Sequence, residues 1–421
     1  MVFSVIYGWG EMEKFIEVER ARELILDDVK ERLPAEKVDL LSSLGRILAE
    51  DVTADRDLPP RDNSAMDGYG VRADDCAFAT AANPVRLTVV AEIPAGSFWN
   101  GDLPPDSAVR IMTGAPVPDG IDAVIRRELV DELGDVVVVK GPVKPGNDIR
   151  RAGEDVRCGA PVLTTGTRLT PAGIGMLAAV GRPYVAVVRR PRVAVLATGD
   201  EIIDFHEDPG PGLIRNSNSW SMAALVLQAG GVPQVFPIVR DRPETIGRAL
   251  RDAASGNDLV ITSGGVSMGD YDFLQEVIEG LPGGEIRFWQ VRMKPGKPLL
   301  YSRIDGRPVI GLPGNPVSTM VSFEQFVRPL MKKLAGWPEA ELMLPRRRAV
   351  LTEALSPAGK RRHYVRGVVE YAMDGGLRVR STGAQGSGIL NSMVVGNCLI
   401  IQPSETGFAA GDEVDIELLD Y

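Results

Sequence analysis

Between residues 262 and 273 the chain reads TSGGVSMGDYDF: an apolar run (Leu259 to Ile261) is closed by two adjacent glycines, and two aspartates follow. A strand that ends in glycines and turns into a helix leaves backbone N–H groups free at its carboxyl edge, where they can hold phosphate. Asp270 and Asp272 add hard oxygen ligands for Mg²⁺ beside it. Gly-Gly with Asp is also an ordinary loop composition, so the segment alone leaves both readings open. Two further strand-to-loop segments, VAVLATGDE (193–201) and VIGLPGNPVS (309–318), tip the balance toward one shared site. In the second of these, Asn315 and Pro316 read as cap and first residue of a helix, whose first N–H groups face whatever the GLPG turn faces.

An anion also needs cations, and VRMKPGKP (291–298) sets Arg292, Lys294 and Lys297 within six residues around a Pro-Gly turn. The bland reading of such a turn is a solvated one. Over the 421 residues the net charge is −10, which disfavours nucleic acid as a partner, and the ArgArgArg run at 346–348 reads as a solvated face or linker. The two histidines, His206 and His363, sit in no nucleophile context. Cys76, Cys158 and Cys398 have no paired spacing, so all three read as packing residues in a reducing cytoplasm. No apolar run reaches the roughly 20 residues a membrane span needs. Residues 1–11 lack the basic leader and apolar centre of a secretory signal, and the compact protein is expected to start near Met12.

These segments need elements to hold them, and the length predicts two to four domains. Apolar spacing predicts a helix over 12–33 and a second over 38–49; with 156–190, where Thr170 and Pro171 open a further helix, residues 12–54 form a helical arm and linker. Residues 55–155 read as an inserted small β domain, with alternation in VRLTVVAEI (85–93) and VVVVK (136–140). Residues 191–335 alternate strands (Val193 to Ala197, Val232 to Val239, Leu259 to Ile261, Ile286 to Met293, Val309 to Gly311) with helices near 217–229, 243–255 and 271–280. That order predicts a doubly wound, mostly parallel sheet. The short strands of 346–421 predict a C-terminal β barrel or sandwich, making the whole an α/β multidomain chain.

Eight segments in series, SAMDGYGVR (64–72), RIMTGAPVP (110–118), IRRAGED (149–155), ATGDE (197–201), TSGGVSMGDYD (262–272), MKPGKP (293–298), GLPGNPVS (311–318) and STGAQGSGILNSM (381–393), resemble the molybdopterin molybdenumtransferase family. This is the bacterial and archaeal MoeA family, whose eukaryotic relatives include the gephyrin E domain. The resemblance covers the chain from Met12 to its end and identifies 191–335 as a molybdopterin-binding type of domain. It implies insertion of molybdenum from molybdate into adenylylated molybdopterin, with Mg²⁺, releasing AMP and the molybdenum cofactor.

The resemblance also assigns roles. Lys294, Lys297, Pro298, Ser318, Arg361 and Ser387 correspond to an oxyanion site, with Arg362 one register step from Arg361. Glu201, Asp241 and Asp272 correspond to the metal side, and Gly264, Gly265 and Ser267 to the phosphate cradle. Asp67, Thr113, Arg150 and Asp155 of the small β domain are expected to complete the partner's cleft in a homodimer, although Asp67 also reads as a turn aspartate. Asn315 reads as a helix cap, and Tyr271 and Trp289 as core or rim. Molybdopterin adenylyltransferase and apo-molybdoenzymes are the implied hand-over partners. Two positions depart from the family: Gln290 stands where some members carry lysine, and Asn216 where aspartate is frequent. The rival readings are a molybdopterin adenylyltransferase and a non-catalytic dimeric scaffold or cofactor carrier. Molybdate and tungstate are not separable from residues alone.

Overall fold

A computed structural model describes residues 13–265 and 273–419. The chain divides into two compact units, one made of residues up to Lys37, Gly45–Ala49 and everything from Ala186 on, the other of Val38–Leu44 and Glu50–Val185.

The first unit is built on a seven-stranded sheet. Its strands are β1 (Glu13–Ile16), β2 (Arg192–Ala197), β3 (Val232–Val235), β4 (Leu259–Ser263), β5 (Gly284–Val291), β7 (Leu300–Ile304) and β8 (Arg307–Leu312), with β6 (Met293–Lys294) lying outside it. The spatial order is β1-β5-β7-β8-β4-β2-β3. Pairs β2–β3, β2–β4, β4–β8 and β1–β5 are parallel, whereas β5–β7 and β7–β8 are antiparallel. The chain leaves β2 toward β3 on one side and then returns to β4 on the other. Their carboxyl ends therefore flank the crevice where open α/β sheets take ligands.

Several local expectations are corrected. Residues 13–16 form a strand because the free edge of β5 offers a backbone ladder (Glu13 opposite Phe288, Ile16 opposite Val291), which outweighs the helical spacing. The helix that follows, α1 (Val18–Asp27), buries Val18, Ala21 and Ile25. The helix expected over 38–49 shrinks to one turn, Leu40–Ser43. The third strand stops at Val235, and β7 was not foreseen: it follows β5 across the lysine-bearing turn and makes an antiparallel run with β8.

Helices α2 (Asn218–Gln228), α3 (Pro243–Gly256) and α4 (Leu274–Gly280) connect the strands. After β8 comes a helical run, α5 (Pro316–Ser322), a π turn (Phe323–Val327) and α6 (Arg328–Leu334), whose Val317, Val321, Phe323, Phe326 and Leu330 are buried in the main core. Two of its buried polar groups are matched by charge: Arg328 donates to Glu324 (Nη2 to Oε1, 3.0 Å), and Gln325 donates to Glu417 (2.6 Å), which also accepts from Arg346 (3.2 Å), whereas the buried Ser322 hydroxyl has no partner among the described residues. Removing one member of such a set costs about 3–5 kcal/mol.

Strands β9 (Arg346–Leu351), β10 (Arg362–Tyr371), β11 (Leu377–Ser381), β12 (Cys398–Gln402) and β13 (Glu413–Leu418) close into a barrel, because β10 pairs with both β11 and β12. The ArgArgArg run opens β9, where Arg348 pairs with Glu413 at 2.8 Å. A barrel, and not a sandwich, is thus the form of this domain. The edge strand β6 runs parallel to β10, Met293 opposite Arg362 and Lys294 opposite His363.

The second unit is built on a six-stranded sheet whose order, by range, is 123–126, 68–71, 107–111, 85–93, 136–139, 130–133. In Pro171–Ala179, Thr170 caps the helix by accepting from Gly173 N–H at 3.2 Å. All three cysteines are free thiols; Cys76 and Cys398 are buried, whereas Cys158 is exposed, its N–H given to Asp57, and so is not a packing residue. Among the described residues no helix is long and apolar enough to cross a membrane.

Candidate active site

The three strand ends converge. Ala197, Ser263 and Leu312 are aligned across β2, β4 and β8. Beyond them, Thr198 N–H donates to Ser263 carbonyl (3.1 Å) and Gly264 N–H to Leu312 carbonyl (3.2 Å). Gly264 and Gly265 hold φ of 97° and 72°, the left-handed region. At Gly264 a Cβ would also lie 2.7 Å from the Thr198 carbonyl oxygen, so no other residue fits. A Cβ on Gly314 would lie 3.8 Å from Gly264 Cα, which brings the SGG and GLPG turns side by side. Asn218, at the start of α2, ties them by donating to both Ser263 Oγ and Gly314 carbonyl, each at 2.7 Å. Gly264 and Gly265 thus occupy the crevice; Ser267 and Asp272, with Asp270 and Tyr271, lie outside the described residues.

The cationic corner is assembled from three elements. Gly296 packs the MKPGKP turn on α5 so closely that a Cβ there would stand 2.6 Å from Ser322 Oγ. Arg361 donates from Nη1 to the Met293 carbonyl at 3.3 Å, beside Lys294. Ser387 accepts the Val317 N–H at 3.1 Å, beside the buried Ser318. This corrects the expectation for α5: its first N–H is spent on the barrel loop and does not face a ligand. Asn315 stands at the cap position but its side chain makes no capping bond. Arg362 is ion-paired with Glu19, whereas Lys294, Lys297 and Arg361 have no carboxylate partner among the described residues. The register one step earlier is therefore the one that leaves a cation available. Lys297 and Arg292 lie over the Phe15 ring, at 5.7 and 4.3 Å from its centroid, and Arg292 also meets Glu17 at 3.2 Å.

The corner's field registers on His363. Buried opposite Lys294, with Nε2 unpartnered, it is held down to about 4, first by burial and then by the charges of Lys294 and Arg366. Gln290, where some relatives carry lysine, is buried with φ 70° and donates its N–H to the Leu299 carbonyl. Trp289 is partly buried against the smaller core of the sheet domain, as a rim residue.

On the acidic side, Gly199 N–H donates to Val239 carbonyl (3.2 Å), and Asp241 N–H to Asp200 Oδ1 (3.4 Å), so the loops bearing Glu201 and Asp241 run together. Among the described residues no three of His, Cys, Asp or Glu surround a point where an ion would sit. Mg²⁺ ordinarily takes one or two carboxylates and completes its shell with phosphate and water. Asn216 contributes nothing to such a shell: its amide accepts Ser219 N–H (3.0 Å) and donates to Ser219 Oγ (2.9 Å).

In the second unit Asp67 and Thr113 are joined directly. Asp67 Oδ1 accepts from both the hydroxyl and the N–H of Thr113 at 2.7 Å, and these bonds hold its carboxyl below the ordinary range. Arg150 lies opposite Asn63 in a two-residue ladder one step from that loop. Asp155 is exposed and gives its N–H to the Leu58 carbonyl.

A residue the sequence did not single out is Asn218. The Asn-Ser-Asn stretch that carries Asn218 was legible as a helix start but not as a clasp between two turns.

Family profiles described as "MoeA N-terminal region (domain I and II)", "Probable molybdopterin binding domain" and "MoeA C-terminal region (domain IV)" match residues 16–181, 194–333 and 348–419. The chain is 40% identical over 385 residues to the molybdopterin molybdenumtransferase of a Nostoc species, covering 90% of this chain and 87% of that one. It is 37% identical to the Haemophilus influenzae protein of the same name, covering 95% and 98%. A crystal structure titled as the molybdopterin biosynthesis moeA protein of Pyrococcus horikoshii superposes with a TM-score of 0.81 at 32% identity, covering 96% of this chain and 100% of that one.

Proposed function

The chain belongs to the MoeA family of molybdopterin molybdenumtransferases, and from that premise we propose that it inserts molybdenum from molybdate into adenylylated molybdopterin, releasing AMP and the molybdenum cofactor. The observation that carries the reading to named residues is the corner of three cations, Lys294, Lys297 and Arg361, without carboxylate partners among the described residues. A tetrahedral dianion such as molybdate suits that corner, because charge-assisted donors are the strong ones. The adjoining crevice beside Gly264, Gly265 and Gly314 suits the pyrophosphate of the adenylylated substrate, because Gly264 and Gly265 hold left-handed backbone and leave open the space a side chain would fill.

Glu201 and Asp241, with Asp272, would hold Mg²⁺, which when bound neutralises phosphate charge. The chain's own residues do the rest by position. Lys294, Lys297 and Arg361 hold the oxyanion, Ser318 and Ser387 close it from the helix and the barrel loop, and Pro298 shapes the turn. Attack on the adenylyl phosphorus by an oxyanion oxygen, or by water beside it, would break the bond to the bridging oxygen, the molybdopterin phosphate leaving and AMP keeping the attacking oxygen, and needs no protein nucleophile.

The proposal extends to organisation. Residues 12–54 with 156–190, 55–155, 191–335 and 346–421 act as four domains of a cytoplasmic homodimer. In it, Asp67, Thr113, Arg150 and Asp155 complete the partner copy's cleft. An adenylyltransferase supplies the substrate and apo-molybdoenzymes take the product.

The test is AMP release from adenylylated molybdopterin by the purified chain with Mg²⁺, with molybdate, with tungstate and without oxyanion. Oxyanion-dependent release whose product reconstitutes an apo-molybdoenzyme is the expected result. Binding without turnover under either oxyanion would leave a carrier in its place. Mixing Lys294→Ala and Asp67→Ala chains tests the shared cleft, since heterodimers then hold one intact site and regain activity.

A further inference from the structure

Strand β10 carries a histidine whose bonding is incomplete as it stands. His363 lies directly opposite Lys294 of β6 and opposite Gln402 of β12. Paired strands run about 4.8 Å apart and turn opposed residues to the same face, so the imidazole has the first lysine of the cationic corner beside it. The residue is 8% exposed, and its Nε2 has no hydrogen-bond partner. Gln402, which hydrogen-bonds the ring, gives its own amide N–H groups to the Ser356 and Thr406 carbonyls (2.7 and 2.8 Å), so toward the ring it can only accept. That assigns the ring proton to Nδ1 and leaves Nε2 as a bare lone pair.

A buried acceptor without a donor is rare in a folded chain and calls for a physical reason. The charges around it supply one. Those acting on the ring are Lys294 from β6, Arg366 from β10 and Arg361 from the loop before β10, and all three are positive. Arg361 is fixed there by its bond to the Met293 carbonyl (3.3 Å). Arg366 is fully buried, bonded to the Ser392 hydroxyl (3.1 Å) and the Gly386 carbonyl (3.2 Å), with Nη1 unpartnered. None of the three has a carboxylate partner among the described residues, and β12 offers the ring only the uncharged Gln402. A protonated imidazole would add a fourth positive charge to this set. Burial and these cations keep the ring neutral, its value near 4.

A dianion seated on Lys294 and Arg361 reverses that field. An opposite charge at such range favours the protonated form of a base, and here two arrive together. The proton can go only to Nε2, which turns the lone pair into a charge-assisted donor for an oxyanion oxygen. We propose that His363 is a further oxyanion-binding residue, which takes up a proton at Nε2 as the oxyanion enters the corner and hydrogen-bonds it through that proton. This rests on the proposed seating of the oxyanion at Lys294, Lys297 and Arg361, and adds a proton to the binding step. The free chain carries no proton at Nε2 near neutral pH and the loaded chain carries one. Oxyanion affinity therefore rises as pH falls, by up to about tenfold per pH unit, and the proton and the oxyanion favour each other equally.

The chain has two histidines, so nuclear magnetic resonance of the full chain with labelled histidine follows His363 directly, and His206→Gln assigns the pair. Spectra are taken between about pH 8 and pH 6, the range in which imidazoles ordinarily titrate, without oxyanion and with saturating molybdate or tungstate. Without oxyanion His363 stays neutral throughout; with it, the ring becomes an imidazolium. Calorimetric titration in buffers of different ionisation heat then reads up to one proton taken up per oxyanion bound. His363→Gln, neutral at every pH, binds with an affinity that no longer follows pH. A ring that stays neutral at saturation in wild type overturns the proposal and needs no variant to fold. The wild-type pH slope persisting in His363→Gln, or failure of both oxyanions to bind, overturns it as well. Oxyanion-dependent AMP release on the same wild-type sample separates the two ideas. Release with a neutral His363 removes the proton uptake and keeps the reaction; proton uptake without release keeps the role of His363 and removes the reaction.

Discussion

Positive charge is handled in opposite ways in two regions. Around the six-stranded sheet of the second unit, Arg126 faces Asp148 (2.9 Å), Arg127 faces Glu132 (2.8 Å) and Arg151 faces Asp62 (2.5 Å). In the corner where the MKPGKP turn meets the barrel, Lys294, Lys297 and Arg361 are given backbone, ring or solvent for company. Each of those three arginines is matched by a carboxylate, whereas among the described residues these three cations of the corner are not. A cation already matched by a neighbouring carboxylate has little left to offer an incoming anion, so a motif's chemistry depends on which charges the fold leaves unmatched.

Substitutions can break that contrast. Lys294→Ala should lower oxyanion-dependent turnover about a hundredfold, the size associated with one lost donor at a developing charge, with little change in urea midpoint. If turnover stays at wild-type level, the corner is not where the anion sits. Gly264→Ala should cost about 3 kcal/mol in urea unfolding, since it combines left-handed backbone with a Cβ 2.7 Å from Thr198 O.

His363 sharpens the contrast through pH. Its folded value near 4 lies below the unfolded 6.5, so the unfolded chain takes up a proton that the folded chain refuses. Stability is full above pH 6.5 and falls as pH drops toward about 4, by on the order of 3 kcal/mol. His363→Gln should flatten that limb in unfolding curves taken across the same window. Arg126→Ala, in the matched region, should leave the urea midpoint nearly unchanged, because the arginine is exposed. A clear drop in the midpoint would mean that the matched arginines do more than hold loops.

Legibility in the sequence followed locality. The turn glycines, the parallel strands before them and the MKPGKP cations are each encoded within ten or so neighbouring residues, and the resemblance rests on these. What escaped depends on distant partners. Glu13–Ile16 is a strand only because β5 has a free edge, and Arg362 is occupied only because Glu19 lies within reach. The sheet is mostly parallel, as its strand and helix alternation predicts, while β7 is hidden in a run that reads equally as loop.

The buried Gln325–Glu417 bond joins the π turn to the last barrel strand, where Glu417 also accepts from the half-exposed Arg346. Parting the barrel from the sheet would leave the buried Gln325 amide without that partner, so barrel and sheet should exchange their amide hydrogens in one cooperative event. The loop carrying Ser387 is tied to the same helical run through the Val317 N–H, so it should share that event and not open ahead of it.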